Sequence, residues 1–343
     1  MRLEEIYING VGTCIPDRMS TAEAVQRGWY DAQEAASSGL VSIAIANDTP
    51  APDLAISAAQ IALKQDSVAA SGVGLLLHSH VHPQGPEGWA TQHYINLHTV
   101  NRPIPASEIV SGCNGMMASI MLGATWLSTR SRSYSDESVL ITAGDNVGTP
   151  AADRWHISFL YVMGDAGASI LLSRRPGIAK VLSIASVSDP SLEQLSRGDE
   201  PIFPPGITVG KKLEFNSKLA YFREKAPSGE ISPGSKYRTI VARSYREALD
   251  DAGLTADDVA RVTHVGFTHR SLRKMFLDPL NVSDERSVWD FTRHVGHAGP
   301  PDPILGLDHL LTTGGVRRGD VVALTSGSPG MEASCAILRI IDI

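Results

Sequence analysis

Two rhythms order the apolar and polar residues of this chain, one that of helices and one that of buried strands. In Asp53–Leu63 the apolar positions Leu54, Ile56, Ala59, Ile61 and Ala62 fall at helical spacing. The wholly apolar Gly72–Leu77 that follows reads as a strand covered on both faces. Ile6–Gly12 predicts a first strand, closed by a turn at Pro16-Asp17. Met116–Leu127 has the helical period, and Ser131–Glu137 is a polar linker. Ser138–Ala143 predicts a strand that stops at Gly144-Asp145-Asn146, and Met163–Ala168 turns into another strand, Ser169–Leu172. Pro201–Gly206 has no period and reads as loop.

The second half repeats that order. Thr239–Ala252 predicts a helix, Thr255–Asp258 a capping spacer, and Ala260–Phe267 a strand ending in Thr268-His269. His297-Ala298-Gly299-Pro300-Pro301-Asp302 opens a helix over Ile304–Leu311. After a Gly/Arg linker, Asp320–Thr325 predicts a strand that stops at Ser326-Gly327-Ser328-Pro329-Gly330. Strands and helices alternating twice over predict an α/β protein of two similar lobes, residues 1–176 and 177–343, with mixed, mostly parallel sheets buried between helix layers. In such a pair, equivalent helix starts face a common axis. Cys113 from one lobe and His297 from the other would then meet at the centre.

Composition narrows the picture. With 343 residues, 43% hydrophobic and 20% charged, the chain has enough material for one large core or two fused lobes. A formal net charge of -7 argues against nucleic acid as the main partner, since neutralising phosphates needs a basic face. The local basic runs Arg317-Arg318 and Arg270–Lys274 are either solvated faces or places for a phosphate-bearing ligand. Three scattered cysteines, Cys14, Cys113 and Cys335, make neither a disulfide framework nor a CxxC metal site. The opening residues hold no charged-then-apolar leader and no apolar run reaches membrane-span length, so the expectation is a cytoplasmic protein.

The candidate chemistry centres on Ser111-Gly112-Cys113-Asn114-Gly115. A cysteine at a helix start sits among unpaired N–H groups and the positive end of the macrodipole, which favour a thiolate. The plain alternative is one more buried small residue. His297 is a candidate base and Asp302 its orienting partner, although Asp302 also suits a helix cap. The histidines His78, His80 and His82 alternate onto one face, but no nearby carboxylate or cysteine completes a ligand set, and no metal is expected. Trp29, Trp89 and Trp155 are candidates for pocket walls or for core packing.

Together the Gly112-Cys113-Asn114-Gly115 turn, Met163-Gly164-Asp165-Ala166-Gly167-Ala168, the strand end at His269, Gly296-His297 and the Ser326–Gly330 glycine loop resemble the ketoacyl synthase III-like branch of the thiolase superfamily. The resemblance implies a five-layered αβαβα fold, a homodimer and a cysteine that accepts an acyl group from acyl-CoA or from the phosphopantetheine of an acyl carrier protein. It implies no permanently bound cofactor. Matched by position, His269 falls where condensing members keep the His of a Cys-His-Asn triad, and His297 where they keep the Asn. A Cys113-His297-Asp302 set instead resembles the non-condensing subgroup that moves acyl groups onto sugar or other hydroxyls in antibiotic pathways, a cervimycin sugar malonyltransferase among them. The oxyanion donors would be the N–H of Cys113 and one from the Gly330 loop. The three histidines would lie beside the acyl pocket near the dimer interface. Two other readings stay open: a decarboxylating condensing enzyme that uses His269, and a catalytically silent partner of a synthase complex.

Overall fold

The computed structural model describes residues 1–66, 69–131, 133, 136–148, 152–225, 232–328 and 331–342. Its strands are β1 (Tyr7–Cys14), β2 (Arg18–Ser20), β3 (Ser42–Ala44), β4 (Val73–Ser79), β5 (Ala106–Ile109), β6 (Ser138–Asp145), β7 (Ala166–Ser173), β8 (Ala179–Ser188), β9 (Val259–Thr263), β10 (Val321–Ser328) and β11 (Glu332–Ile340). β2 and β3 pair with each other, and the other nine form one ladder in the order β5-β4-β6-β7-β1-β8-β11-β10-β9. Within it, β4 and β6 are parallel, while β6–β7 and β7–β1 are antiparallel. The second half repeats this: β9 and β10 are parallel, and β10–β11 and β11–β8 are antiparallel. The halves join where Tyr7 and Ile8 of β1 meet Lys180 and Ala179 of β8.

Helices complete five layers. The helix Ala51–Leu63 covers β1, β7 and β6 on one outside, and the helix Pro233–Ala252 covers β8 and β11 on the other. Between the half-sheets lie the helices Gly115–Thr129, which touches β4, β6, β7 and β11, and Asp302–Thr312, which touches β1, β7, β9 and β10. Strands sandwiched this way need apolar side chains on both faces, and β6, β7 and β10 are buried at every position. The outer helix rides close to its sheet because its contact face is alanine and the strand positions below it are glycine. A Cβ at Gly167 would lie 2.1 Å from the carbonyl oxygen of Leu54.

The predicted elements are present with shifted bounds. The helix expected over 239–252 begins at Pro233, where the Ser232 hydroxyl accepts from the Ser235 N–H at 3.2 Å, and it ends at the left-handed Gly253. The strand expected over 260–267 stops at Thr263. Beyond it the backbone leaves β10 and is drawn to the histidine turn, so close that a Cβ at Gly266 would lie 2.0 Å from the Gly296 carbonyl oxygen. Part of the 131–137 linker lies outside the described residues.

Candidate active site

Cys113 sits in a single tight turn, Gly112–Asn114, that leads into the central helix Gly115–Thr129. Gly112 has a φ of +52°, a conformation that suits glycine, and Gly115 must lack a side chain because a Cβ there would meet that of Ser79 at 2.7 Å. The opposite half of the molecule holds the turn. From β10, the Ser326 hydroxyl donates to the Cys113 carbonyl at 3.0 Å. In β11, Ser334 accepts from the Asn114 amide at 2.8 Å, and Glu332 accepts from the Ser111 hydroxyl at 2.9 Å.

His297 arrives from the second half in a turn with positive φ at Gly296 and Gly299. Its N–H donates to the Val162 carbonyl and its carbonyl accepts from the Gly164 N–H, both at 2.9 Å, so the turn is laced to the chain entering β7. Two residues, Cys113 in the turn that opens one central helix and His297 in the turn five residues before the other, thereby come into contact across 184 positions of sequence. His297 Nε2 lies 3.1 Å from Cys113 Sγ, and His297 Nδ1 lies 2.5 Å from Asp302 Oδ2. Asp302, first residue of its helix, also accepts from the Ala298 N–H at 2.9 Å and the Gly266 N–H at 2.7 Å. All three side chains are buried.

Burial alone would push the imidazole's pKa down. The sulfur and the carboxylate on either side reverse this and raise it to about 10. A charged ring 3.1 Å from sulfur supplies the positive neighbour that a thiolate nucleophile needs, and the carboxylate fixes the ring's tautomer and orientation. Aromatic side chains close around the ring: Tyr161 at 4.6 Å between centroids and Phe267 edge-to-face at 5.4 Å. Cys113 and His297 open onto a cavity of about 510 Å³.

A cysteine, a histidine and a carboxylate in contact, brought together from distant parts of the chain, can carry acyl transfer through a thioester. The model of the C-terminal part of 3-oxoacyl-(acyl carrier protein) synthase III matches residues 249–340. The solved structure of ChlB3, described as an acyltransferase, is 35% identical and superposes with a TM-score of 0.91 over 99% of this chain and 98% of that one. The chain belongs to the ketoacyl synthase III-like acyltransferases of the thiolase superfamily. Two 3-oxoacyl-(acyl carrier protein) synthase III structures share the fold. That from Aquifex aeolicus VF5 is 18% identical with a TM-score of 0.79, covering 97% of this chain and 99% of that one. That from Pseudomonas aeruginosa PAO1 is 20% identical with a TM-score of 0.76, covering 99% of each. No curated protein matches the sequence.

Other expected site residues of this ketoacyl synthase III-like chain lie elsewhere. His269 does not join Cys113 and His297: its Nε2 pairs with Asp284 Oδ2 at 2.8 Å, its ring stacks on Trp289 at 4.9 Å, and its side chain is 37% exposed. It opens the short helix His269–Leu272, and Thr268 before it and Arg270 after it line the cavity wall while His269 does not. Gly330 lies outside the described residues. The histidine trio is divided among separate partners. His78 bonds Thr142 at 2.9 Å, His80 bonds the His82 carbonyl at 2.9 Å, and His82 Nε2 is buried without a hydrogen-bond partner among the described residues. No group of three or more His, Cys, Asp or Glu among those residues is placed to hold a metal ion. Of the three candidate tryptophans, Trp155 lines the cavity, packed on Tyr30 at 5.2 Å, while Trp29 and Trp89 are exposed. No helix among the described residues is long and apolar enough to cross a membrane. Sequence reasoning missed Tyr161, Tyr237 and Phe267, which line the cavity beside Cys113 and belong to no motif.

Proposed function

We propose that the protein takes an acyl group from acyl-CoA or an acyl carrier protein onto Cys113 and passes it to a hydroxyl, or an amine, of a sugar, cyclitol or similar small natural product, without decarboxylative condensation. The observation that carries this reading is the contact of His297 with both Cys113 and Asp302, at 3.1 and 2.5 Å. A decarboxylating site needs two neutral hydrogen-bond donors over the thioester oxygen. Here the one histidine touching the sulfur has a carboxylate behind it, and His269 is tied to Asp284.

The chemistry closes in two steps. The Cys113 thiolate attacks the donor thioester carbonyl, the bond from carbon to the donor sulfur breaks, and the His297 imidazolium gives its proton to the departing thiolate. The ring is now neutral. It takes the proton of the acceptor hydroxyl as that oxygen attacks the Cys113 thioester, the bond to Cys113 sulfur breaks, and the thiolate–imidazolium pair is restored. We take the two lobes to be 1–176 and 177–343, and the working unit to be a homodimer, as the family implies.

The test is intact-mass analysis after incubation with acyl thioesters. The native chain gains one acyl mass, Cys113→Ala gains none, and His297→Ala loads slowly but does not pass the group on. Transfer at the native rate by His297→Ala, or carbon dioxide release from a malonyl thioester, overturns the reading.

A further inference from the structure

Apart from His297, charge in the described wall of the Cys113 cavity is confined to its mouth. The acidic, Lys and Arg residues of its described wall are Glu34, Arg223, Arg270 and Lys274, and all four are exposed. The deep wall around Cys113 is neutral and largely aromatic, apart from His297, whose two ring nitrogens are already engaged. Arg154, a mostly buried cation, is not in the wall and is committed to Asp165 by two bonds of 3.0 Å. A carboxylate on an acyl group bound to Cys113 would therefore lose its water and find no uncommitted counter-ion in the described wall, since His297 is already paired with Asp302.

Two phenols occupy that deep wall instead. The Tyr237 hydroxyl presses onto Gly327, where a Cβ would lie 2.0 Å from it. Gly327 directly follows Ser326, the residue whose hydroxyl holds the Cys113 carbonyl. Tyr161 packs its ring on His297 at 4.6 Å. Both tyrosines are buried, and burial, then the nearby Cys113 sulfur, pushes their pKa values up. They keep their protons, so the Tyr237 hydroxyl, and the Tyr161 hydroxyl that is hydrogen-bonded to Ser158, are donors with a proton to give.

We propose that Tyr161 and Tyr237 determine acyl-group specificity: they admit an uncharged acyl group with a hydrogen-bond-accepting atom close to its thioester carbon, and the neutral wall rejects dicarboxylic groups such as malonyl. This rests on the reading of Cys113 as the acyl carrier. The test loads the full chain with the coenzyme A thioesters of butyrate, methoxyacetate and malonate, and follows the mass gain on Cys113 with time. Methoxyacetyl replaces one methylene of butyryl by an acceptor oxygen, and the difference in their intrinsic reactivity cancels when variants are compared. In Tyr161→Phe and Tyr237→Phe the methoxyacetyl-to-butyryl rate ratio falls about fivefold from the native value, the scale of one hydrogen bond. Malonyl loads the native chain about 100-fold or more slower than butyryl, the scale of an unpaired buried charge. Loading with an unchanged ratio in both variants, or malonyl loading as fast as butyryl, overturns the specificity proposal and leaves the carrier role of Cys113 intact. Failure of all three thioesters to load overturns both.

Discussion

Replacing Asp302 by asparagine keeps the side chain's shape and removes its charge. The two carboxylate oxygens receive three N–H groups, from His297, Ala298 and Gly266. An amide offers one oxygen and one NH2, so either orientation sets donor against donor, at a cost of about 1–3 kcal/mol in stability. The larger effect is on the ring. Raising an imidazole from 6.5 to about 10 corresponds to roughly 5 kcal/mol in favour of its charged form, at about 1.4 kcal/mol for each pKa unit. That preference is the surplus of attraction to Cys113 and Asp302 over the burial penalty, so losing the carboxylate leaves the penalty in place with one attraction fewer. The ring's preference for the charged form then weakens, its tautomer and orientation are no longer set, and acyl transfer slows by about 1,000- to 10,000-fold, as in the equivalent change of a Ser-His-Asp triad. The assay is single-turnover transfer from preloaded Cys113 to a hydroxyl acceptor, with circular dichroism to verify folding. A folded Asp302→Asn enzyme that transfers within about threefold of the native rate would show that the carboxylate is only a helix cap.

Two further outcomes follow from buried charge. His78, His82 and His264 are held neutral, with burial lowering their pKa values to about 3, 4 and 4, whereas in the unfolded chain they charge near 6.5. From pH 6.5 down to about 4 the unfolded state therefore binds more protons, and stability falls as pH falls. Asp145, raised to about 8 by burial, binds a proton in the folded state over that range and offsets one of the three, leaving about 3 kcal/mol per pH unit. Calorimetry that finds a level Tm between those limits refutes this. Arg154→Met strips Asp165 of a bidentate partner and leaves a fully buried carboxylate with, among the described residues, the Ala46 and Val147 N–H groups, each at 2.8 Å. Urea unfolding should show a loss of about 3–5 kcal/mol, and a loss under about 1 kcal/mol would contradict the pairing.

How far the chain can be read before folding depends on the kind of feature. Periodicity reports whether an element is covered, which is why the apolar runs ending at His78, Ala143 and Thr325 mark strands and why the doubling shows. It does not report where a ladder partner lets go. The run 260–267 continues apolar past Thr263, and only the pull of Gly266 toward Gly296 ends the strand. Nor does spacing report the rotation of one residue at a helix start: His269 and Thr268 are adjacent in sequence, yet one faces Asp284 and the other the cavity. Tyr161 and Tyr237 lie outside every motif, because a residue of a pocket wall is chosen by what lies across the pocket.

The order of residues alone determined an α/β chain built twice over, with a cysteine and a histidine at matching helix starts, because covered strands and helices must carry apolar side chains at their own periods. The tertiary structure decided which histidine meets the sulfur, that a carboxylate stands behind it, and that the other buried residues of the described wall are uncharged. Those contacts join residues up to 184 positions apart, and a distance of that kind is set by how layers pack and by no local pattern.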